Sequence, residues 1–279
     1  MKRGLFLFLF VSFFTIGYAQ KTVQEEAKEN FPALTDSFTE GQKDFANIFM
    51  EYMEYVSVSA IDSIKNEGRY MQALDKIDSL QVKWEALTGS PLPWRVYLSK
   101  VEIQMSLEEW KDAIATVEEC FIIHKDDIPD WGVSMLYEDL GRGYLNLKEY
   151  REAIRSYENV INYYIDLDEL DSLGDIYCSI AYCYKRLGKY NLANSFYKKG
   201  LDKYLNYFGT TSPVLLKSNF HVQDSYKQTN LNLFALHLYD MAVLQHEYGN
   251  RSASKEYLIM SAHCGNEDAR REYLRRYGR

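Results

Sequence analysis

The sequence predicts an all-α fold, a right-handed solenoid built from antiparallel helix hairpins. A small residue recurs every 40 residues near the start of a helical pattern, and an aromatic residue lies three positions before each one. The pairs are Tyr70 and Ala73, Trp110 and Ala113, Tyr150 and Ala153, and Tyr190 and Ala193. All five prolines fall outside the predicted helices, where their missing N–H breaks no helical hydrogen bond. Four copies in register indicate one structural unit repeated along the chain.

The two best-preserved copies lie in Ser134–Tyr207. The first helix of each copy places a large, an apolar, a small and an aromatic residue at i, i+3, i+4 and i+7, the spacing of a buried helical stripe. These residues are Tyr137, Leu140, Gly141 and Tyr144 in one copy, and Tyr177, Ile180, Ala181 and Tyr184 in the next. A second helix follows, with Ala153 and Tyr157 or Ala193 and Tyr197. The small residues let the two helices approach closely.

This pattern resembles the tetratricopeptide repeat (TPR), in which Trp-x2-Leu-Gly-x2-Tyr is followed by Ala-x3-Phe. The period exceeds the roughly 34 residues of a standard TPR unit, and the surplus falls in Thr88–Pro93, Lys125–Asp130 and Asp168–Leu173. HEAT-type repeats also have a period near 40, but the placement of Gly, Ala and Tyr favours TPR. Near the C-terminus, Ala253–Ala269 is similar to a SEL-like repeat, a TPR relative, because its end reads Ser-Ala-His-Cys-Gly-Asn-Glu-Asp-Ala.

These patterns divide the chain into five segments. Residues 1–19 are predicted to be a signal peptide, 20–53 an N-terminal helical lead-in, 54–207 four TPR-like repeats, 208–230 an irregular linker or short helix, and 231–279 a SEL-like hairpin with a capping helix. The cap is predicted over Glu267–Tyr277, because the end unit of a solenoid must cover its open face.

The N-terminal segment has the three parts of a secretory signal. Lys2 and Arg3 supply positive charge, Leu5–Ile16 is apolar, and Gly17–Ala19 provides small residues at a cleavage site before Gln20. The apolar run of about twelve residues is short of the ~20 that span a bilayer, with a retained anchor as the alternative. No cysteine follows the cleavage site, which disfavours a bacterial lipoprotein. We therefore expect export to the periplasm or the medium, most simply in a bacterial envelope.

The chain is acidic, with a formal net charge of −8 and a pI of about 5.3. Nucleic-acid binders usually carry a basic domain or stripe, so duplex binding is not expected. Tyrosine is abundant, at 24 residues. Many of these tyrosines fall on the repeat packing positions described above, which assigns most of the excess to the core.

No arrangement of residues indicates an enzyme, a cofactor or a metal site. The five histidines lack the His-Glu-x-x-His spacing, since His246-Glu247 is followed by Asn250 at the second histidine position. A Gly-x-Ser-x-Gly elbow, a Walker loop and a Rossmann fingerprint are all missing from the sequence. We therefore expect a protein without catalytic activity.

The chain has four cysteines, and export would permit disulfides between them. Cys178 and Cys183 are five residues apart on one predicted helix, which places their Cα atoms about 8–9 Å apart and beyond disulfide reach. The other two are Cys120 and Cys264; no cysteine recurs at the repeat period, and Cys-x2-Cys zinc spacing is absent. Buried free thiols are therefore expected.

The TPR resemblance implies a functional surface on the concave face, which the first helices build. Transferring the family's groove positions, the second, fifth, ninth and twelfth of a unit, identifies the candidate residues. They are Arg95, Leu98, Glu102, Met105, Met135, Glu138, Arg142, Leu145, Asp175, Cys178, Tyr182 and Lys185. This mixture of apolar and charged side chains suits an extended peptide or a partner helix, and it equally suits an ordinary amphipathic helix surface. The lysines and asparagines with which some TPR proteins grip a C-terminal carboxylate are missing from the fifth and ninth positions.

The resemblance therefore implies a non-enzymatic scaffold that binds a protein or peptide partner on its concave face, without a cofactor. One alternative is a periplasmic sensor or regulatory subunit acting on a membrane partner. Another is a structural assembly component that binds through its convex face or its C-terminal arginines, Arg270, Arg271, Arg275, Arg276 and Arg279. Those arginines either attract anionic lipid, as a peripheral membrane contact, or simply complement a helix dipole. The sequence leaves the partner's identity and the oligomeric state open.

Overall fold

The computed structural model describes residues 57–166, 170–211 and 225–278 of the 279-residue chain. Within these ranges the regular secondary structure is entirely helical, without a strand, and the predicted all-α class is confirmed. The predicted signal peptide (1–19), the lead-in (20–53) and most of the predicted linker (208–230) lie outside the described residues. Those three assignments stay predictions.

The described part of the chain contains eleven helices. The first, α1, comprises the helical residues 57–66. The others are α2 (Tyr70–Thr88), α3 (Trp94–Ser106), α4 (Trp110–His124), α5 (Asp130–Asn146), α6 (Tyr150–Asp166), α7 (Leu170–Arg186), α8 (Tyr190–Tyr207), α9 (Ser225–Glu247), α10 (Arg251–His263) and α11 (Glu267–Tyr277).

The chain divides into two compact units, Met1–Ile103 and Gln104–Arg279. In the first unit, Lys65 of α1 forms an ion pair with Asp62 at 2.8 Å and a second one with Glu102 of α3. Burial alone would lower the pKa of Lys65, but the two carboxylates outweigh burial and the pKa is raised. This pairing ties α1 to α3.

In the second unit each helix from α4 to α11 packs against the next, and α7 also contacts α9. Three hairpins result, α5–α6, α7–α8 and α9–α10, and we call their members the first helices (α5, α7, α9) and the second helices (α6, α8, α10). Small residues permit close packing, as predicted. A Cβ added at Gly141 would lie 2.5 Å from the ring of Tyr157, and Ala153 and Ala193 are completely buried.

The turn that ends α1, α3, α5 and α7 is the same structure four times. Its central residue has a φ between 61° and 74°. That residue is Gly68, Glu108, Lys148 or Gly188. In the last copy Gly188 N donates to Lys185 O at 3.0 Å and Lys189 N donates to Tyr184 O at 2.9 Å, and the other three copies have the same pair of bonds. This is a Schellman motif, so the 40-residue period extends to the backbone.

Two of these turns place a residue with a Cβ in the left-handed region, which glycine adopts at lower cost. Replacing Lys148 with glycine is therefore expected to raise the free energy of unfolding by about 1 kcal/mol. The reciprocal change, Gly188→Lys, is expected to lower it by a similar amount. Urea unfolding of both variants checks this, and a loss of stability in Lys148→Gly would contradict the turn geometry.

Of the C-terminal helices, α9 begins earlier than predicted and α11 begins at the predicted residue. Helix α9 begins at Ser225, so the last six residues of the stretch assigned as linker or short helix (208–230) are helical. Helix α11 has the predicted bounds. The side chains of Asn250 and Asn266 accept hydrogen bonds from backbone N–H groups in the first turns of α10 and α11, as N-caps do.

Candidate partner-binding face

Three of the twelve predicted groove residues do not form a surface. Leu98, Met105 and Cys178 are buried, with 9%, 7% and 0% of their surface exposed. The prediction is therefore wrong in assigning these side chains to partner contact. For Cys178 the reason is the approach of α8, because a Cβ at Gly200 would collide with the cysteine sulfur. A transferred position number carries no information about how closely the neighbouring helix packs.

The other nine predicted residues are exposed or partly exposed. Arg95 and Glu102 belong to the first unit. The second unit contributes Met135, Glu138, Arg142 and Leu145 from α5, and Asp175, Tyr182 and Lys185 from α7. Helix α9 adds side chains that the prediction missed. We define the first-helix face as the surface formed by Met135, Glu138, Arg142, Asp175, Tyr182, Lys185, Leu236 and Asp240, together with the buried His237 that contacts Asp175.

Arg142 organises the α5 part of this face. Its Nη2 lies 3.3 Å from Glu138 Oε1 and 3.4 Å from Asp139 Oδ1. The second oxygen of Glu138 accepts a hydrogen bond of 2.7 Å from the hydroxyl of Tyr164 on α6. Burial would lower the pKa of Arg142, but Asp139 and Glu138 outweigh it, and the pKa is raised. The guanidinium is therefore held in place and neutralised by its own helix.

Asp175 connects α7 to α9. Its Oδ1 lies 2.9 Å from Nε2 of His237, whose side chain is only 9% exposed and whose ring lies 5.8 Å from that of Tyr204. Burial would raise the pKa of Asp175, but the hydrogen bond and charge of His237, together with Arg142, lower it. Asp175 therefore remains a carboxylate and interacts with side chains of both neighbouring first helices, Arg142 of α5 and His237 of α9.

Lys185 forms a second connection between α7 and α9. Its Nζ lies 3.5 Å from Asp240 Oδ1 and 5.2 Å from the ring centre of Tyr182, within cation–π range. Gln245 of α9 donates a hydrogen bond of 2.8 Å to Asn194 of α8. Side-chain bonds thus fix α9 against the preceding hairpin at several points.

The α9 residues escape a search at the 40-residue period because the register changes after α8. A local signal nevertheless identifies them. The turn glycine Gly249 has a φ of 77° and the hydrogen bonds of the earlier turns, as Gly188 has. Aligning these two glycines places Leu236 at the position of Asp175, and Leu236 is 47% exposed.

Four of the five C-terminal arginines are paired with carboxylates on their own helix, and Arg279 lies outside the described residues. Arg270 contacts Glu267 and Arg271 contacts Asp268, and Glu272 binds the two arginines of the last turn, Arg275 and Arg276. Hydrogen bonds from Arg275 and Arg276 lower the pKa of Glu272 to about 2. The charges of these four arginines are therefore largely balanced by carboxylates within α11.

All four cysteines are buried and free, as predicted. Burial raises the pKa of Cys120, Cys183 and Cys264 to about 12, so their thiolates are scarce at neutral pH. Among the described residues no three metal-ligating side chains come together. None of the described helices combines the length and the apolar character needed to cross a membrane.

No protein-family model matches the chain. An uncharacterized protein, ycf37 of Guillardia theta, is 26% identical over 132 residues, which cover 47% of this chain and 68% of that protein.

Solved structures with a similar fold include a double mutant of MamA RS-1 (TM-score 0.52, 10% identity, 78% of this chain and 95% of that chain). A kinesin light chain of Podosopora anserina with TPR-like repeats gives a TM-score of 0.52 at 12% identity, over 77% of this chain and 95% of that chain. The apo form of the quorum sensor NprR of B. thuringiensis gives 0.57 at 14% identity, over 88% of this chain and 66% of that chain. The fold of this chain is a TPR-like helical solenoid.

Proposed function

We propose that this protein is a non-enzymatic TPR-like scaffold that binds a protein or peptide partner on its concave face, which the first helices form. The observation that carries the proposal is the fixed first-helix face. Arg142 is paired with two carboxylates on its own helix. Asp175 and Lys185 of α7 are bound instead by side chains of α9. A receptor ordered before binding loses little conformational entropy when the partner arrives.

Exposed apolar side chains lie on the same face. Met135 and Leu236 are 37% and 47% exposed, on α5 and α9, and Asp175 occupies the equivalent position between them. Tyr182 adds an aromatic ring beside Lys185. Apolar and aromatic anchors framed by ordered charges are the composition of protein-binding surfaces.

The face is tested by charging its apolar residues. We expect the double variant Met135→Asp/Leu236→Asp to lose a partner that the wild type captures by crosslinking from envelope extract, with recovery at least about tenfold lower. The matched control is Ile122→Asp/Ile165→Asp, which adds the same charges to side chains 82% and 48% exposed on α4 and α6. Far-UV circular dichroism checks that both variants fold.

If only the control variant Ile122→Asp/Ile165→Asp fails to capture the partner, the partner binds on the side of α4 and α6, and the first-helix face is excluded. That outcome would favour the assembly role through the convex surface. The arginine-based version of that role has less support, because the ion pairs of α11 neutralise most of those charges.

We also propose that the protein is exported, on the basis of the charge, apolar run and small residues of segment 1–19. N-terminal sequencing of the protein purified for the capture experiment tests this, with Gln20 expected as the first residue. A chain that still begins at Met1 would favour the retained anchor or reject export.

A further inference from the structure

The three hairpins of the second unit separate their charges between the first and second helices. Among the described side chains, α5, α7 and α9 carry more carboxylates than lysines and arginines. The carboxylates are Asp130, Glu138, Asp139, Asp175, Asp240 and Glu247, and the cations are Arg142, Lys185, Arg186 and Lys227. The second helices show the opposite balance. Their cations are Arg151, Arg155, Lys198, Lys199, Lys203, Arg251 and Lys255, against Glu152, Glu158, Asp202 and Glu256.

On the first-helix face the two cations are already occupied. Arg142 is shared by Glu138 and Asp139, and Lys185 pairs with Asp240. Asp175 has His237 as its hydrogen-bond partner, and no lysine or arginine among the described residues lies within 4.0 Å of its carboxylate. The side chains of Glu138 and Asp175 are 29% and 38% exposed. The side chain of Arg142 is 51% exposed and its charge also acts on Asp175. The three carboxylates of Glu138, Asp139 and Asp175 outnumber this one guanidinium, so the net charge between α5 and α7 is negative.

The order of residues across the first-helix face indicates which side chains a bound segment would need. Met135, Asp175 and Leu236 occupy equivalent positions on three successive first helices, which gives the sequence apolar, acidic, apolar. Helices α7 and α9 are in contact, and packed helices lie about 8–10 Å apart. A segment in the polyproline II conformation has three residues per turn and a rise of about 3.1 Å per residue, so it presents every third side chain on one face at a spacing of about 9 Å. A segment that crosses the first helices would therefore meet these side chains at every third residue.

We propose that the first-helix face binds an extended partner segment with a lysine or arginine at its centre and an apolar residue three positions to either side. The central cation would pair with Asp175 and Glu138, and the apolar residues would contact Met135 and Leu236. This inference rests on the proposed function and specifies the chemistry of the partner. The net charge of −8 on the whole chain adds a long-range attraction for such a segment.

Three capped synthetic peptides test the proposal. Each has two leucines separated by Ser-Ser from a central residue, which is lysine, glutamine or glutamate. Fluorescence anisotropy is expected to show the lysine peptide binding about tenfold more tightly than the glutamate peptide. This advantage should shrink at high salt, because the carboxylates are partly exposed.

The variant Asp175→Asn/Glu138→Gln keeps the shape of both side chains and removes their charge, and should abolish the preference for lysine. Each amide keeps one acceptor oxygen, so Gln at position 138 can accept from Arg142 or from Tyr164 but not from both. The matched control, Glu158→Gln/Asp202→Asn, removes two exposed carboxylates from α6 and α8 and should keep the preference. Equal affinities for the three peptides, no binding of any of them, or a preference that survives Asp175→Asn/Glu138→Gln would each overturn the proposal.

The two proposals fail in different ways. If Met135→Asp/Leu236→Asp loses the captured partner but the peptides show no preference for lysine, the face is the binding site and its partner is not basic. If that variant keeps the partner, the face itself is rejected.

Discussion

Replacing Tyr197 with alanine is expected to lower the free energy of unfolding by about 4 kcal/mol. The side chain is completely buried in the core that α7, α8 and α9 share, where it belongs to one cluster with Ala181, Leu201 and Phe234. Truncation removes a large apolar surface and leaves a cavity that rigid neighbouring helices fill only partly. Equilibrium unfolding in urea measures the loss.

The variant Tyr197→Phe is the matched comparison, because it removes only the hydroxyl. That hydroxyl is buried and has no hydrogen-bond partner among the described residues, and burial raises the pKa of Tyr197 well above its ordinary value. A buried polar group without a partner loses its hydration and gains nothing in return. We expect Tyr197→Phe to leave the stability unchanged or to raise it by up to about 1 kcal/mol. A clear loss of stability in Tyr197→Phe would mean that the hydroxyl donates a hydrogen bond.

The second large effect is expected at Gly200, in the middle of α8. A Cβ at this position would lie 2.8 Å from the backbone oxygen of Gly174 and closer still to the sulfur of Cys178. A backbone atom cannot move aside as the end of a flexible side chain can. Gly200→Ala is therefore expected to destabilise the protein by about 3 kcal/mol, in spite of the better helix propensity of alanine.

Ser195→Ala is the control for Gly200→Ala, since Ser195 is exposed on the same helix. It tests helix propensity without the collision, and a small gain of a few tenths of a kcal/mol is expected. Thermal and urea unfolding of both variants separate the two contributions. If Gly200→Ala were as stable as Ser195→Ala, α7 and α8 would not cross as closely as the structure shows.

The sequence was sufficient for the fold because the hairpin core depends on small and aromatic residues at fixed spacing. Gly141 and Ala153 are small because a neighbouring helix or ring occupies the space of a larger side chain. The spacing of such residues can be recognised in the amino-acid sequence alone. Only two of the four left-handed turns could be predicted from a glycine, at Gly68 and Gly188. In the other two turns Glu108 and Lys148 adopt this conformation, which glycine normally occupies.

The candidate site was less predictable because it depends on neighbours distant in sequence. Position numbers placed Cys178 on the surface, whereas the approach of α8 buries it. His237 and Asp240 were missed because α9 follows α8 at a longer interval than the repeat period. Their roles arise from contacts with Asp175 and Lys185, which only the packing of α9 on α7 creates.

The side-chain bonds between α9 and the α7–α8 hairpin join these helices independently of the covalent link between α8 and α9. Asp175 with His237, Lys185 with Asp240 and Asn194 with Gln245 all join residues at least 51 positions apart, and the core around Phe234 is shared. A polypeptide ending at 211 and another beginning at 225 would each retain its half of these contacts. We therefore expect a folded chain that is cut between 211 and 225 to keep its two parts associated through these contacts.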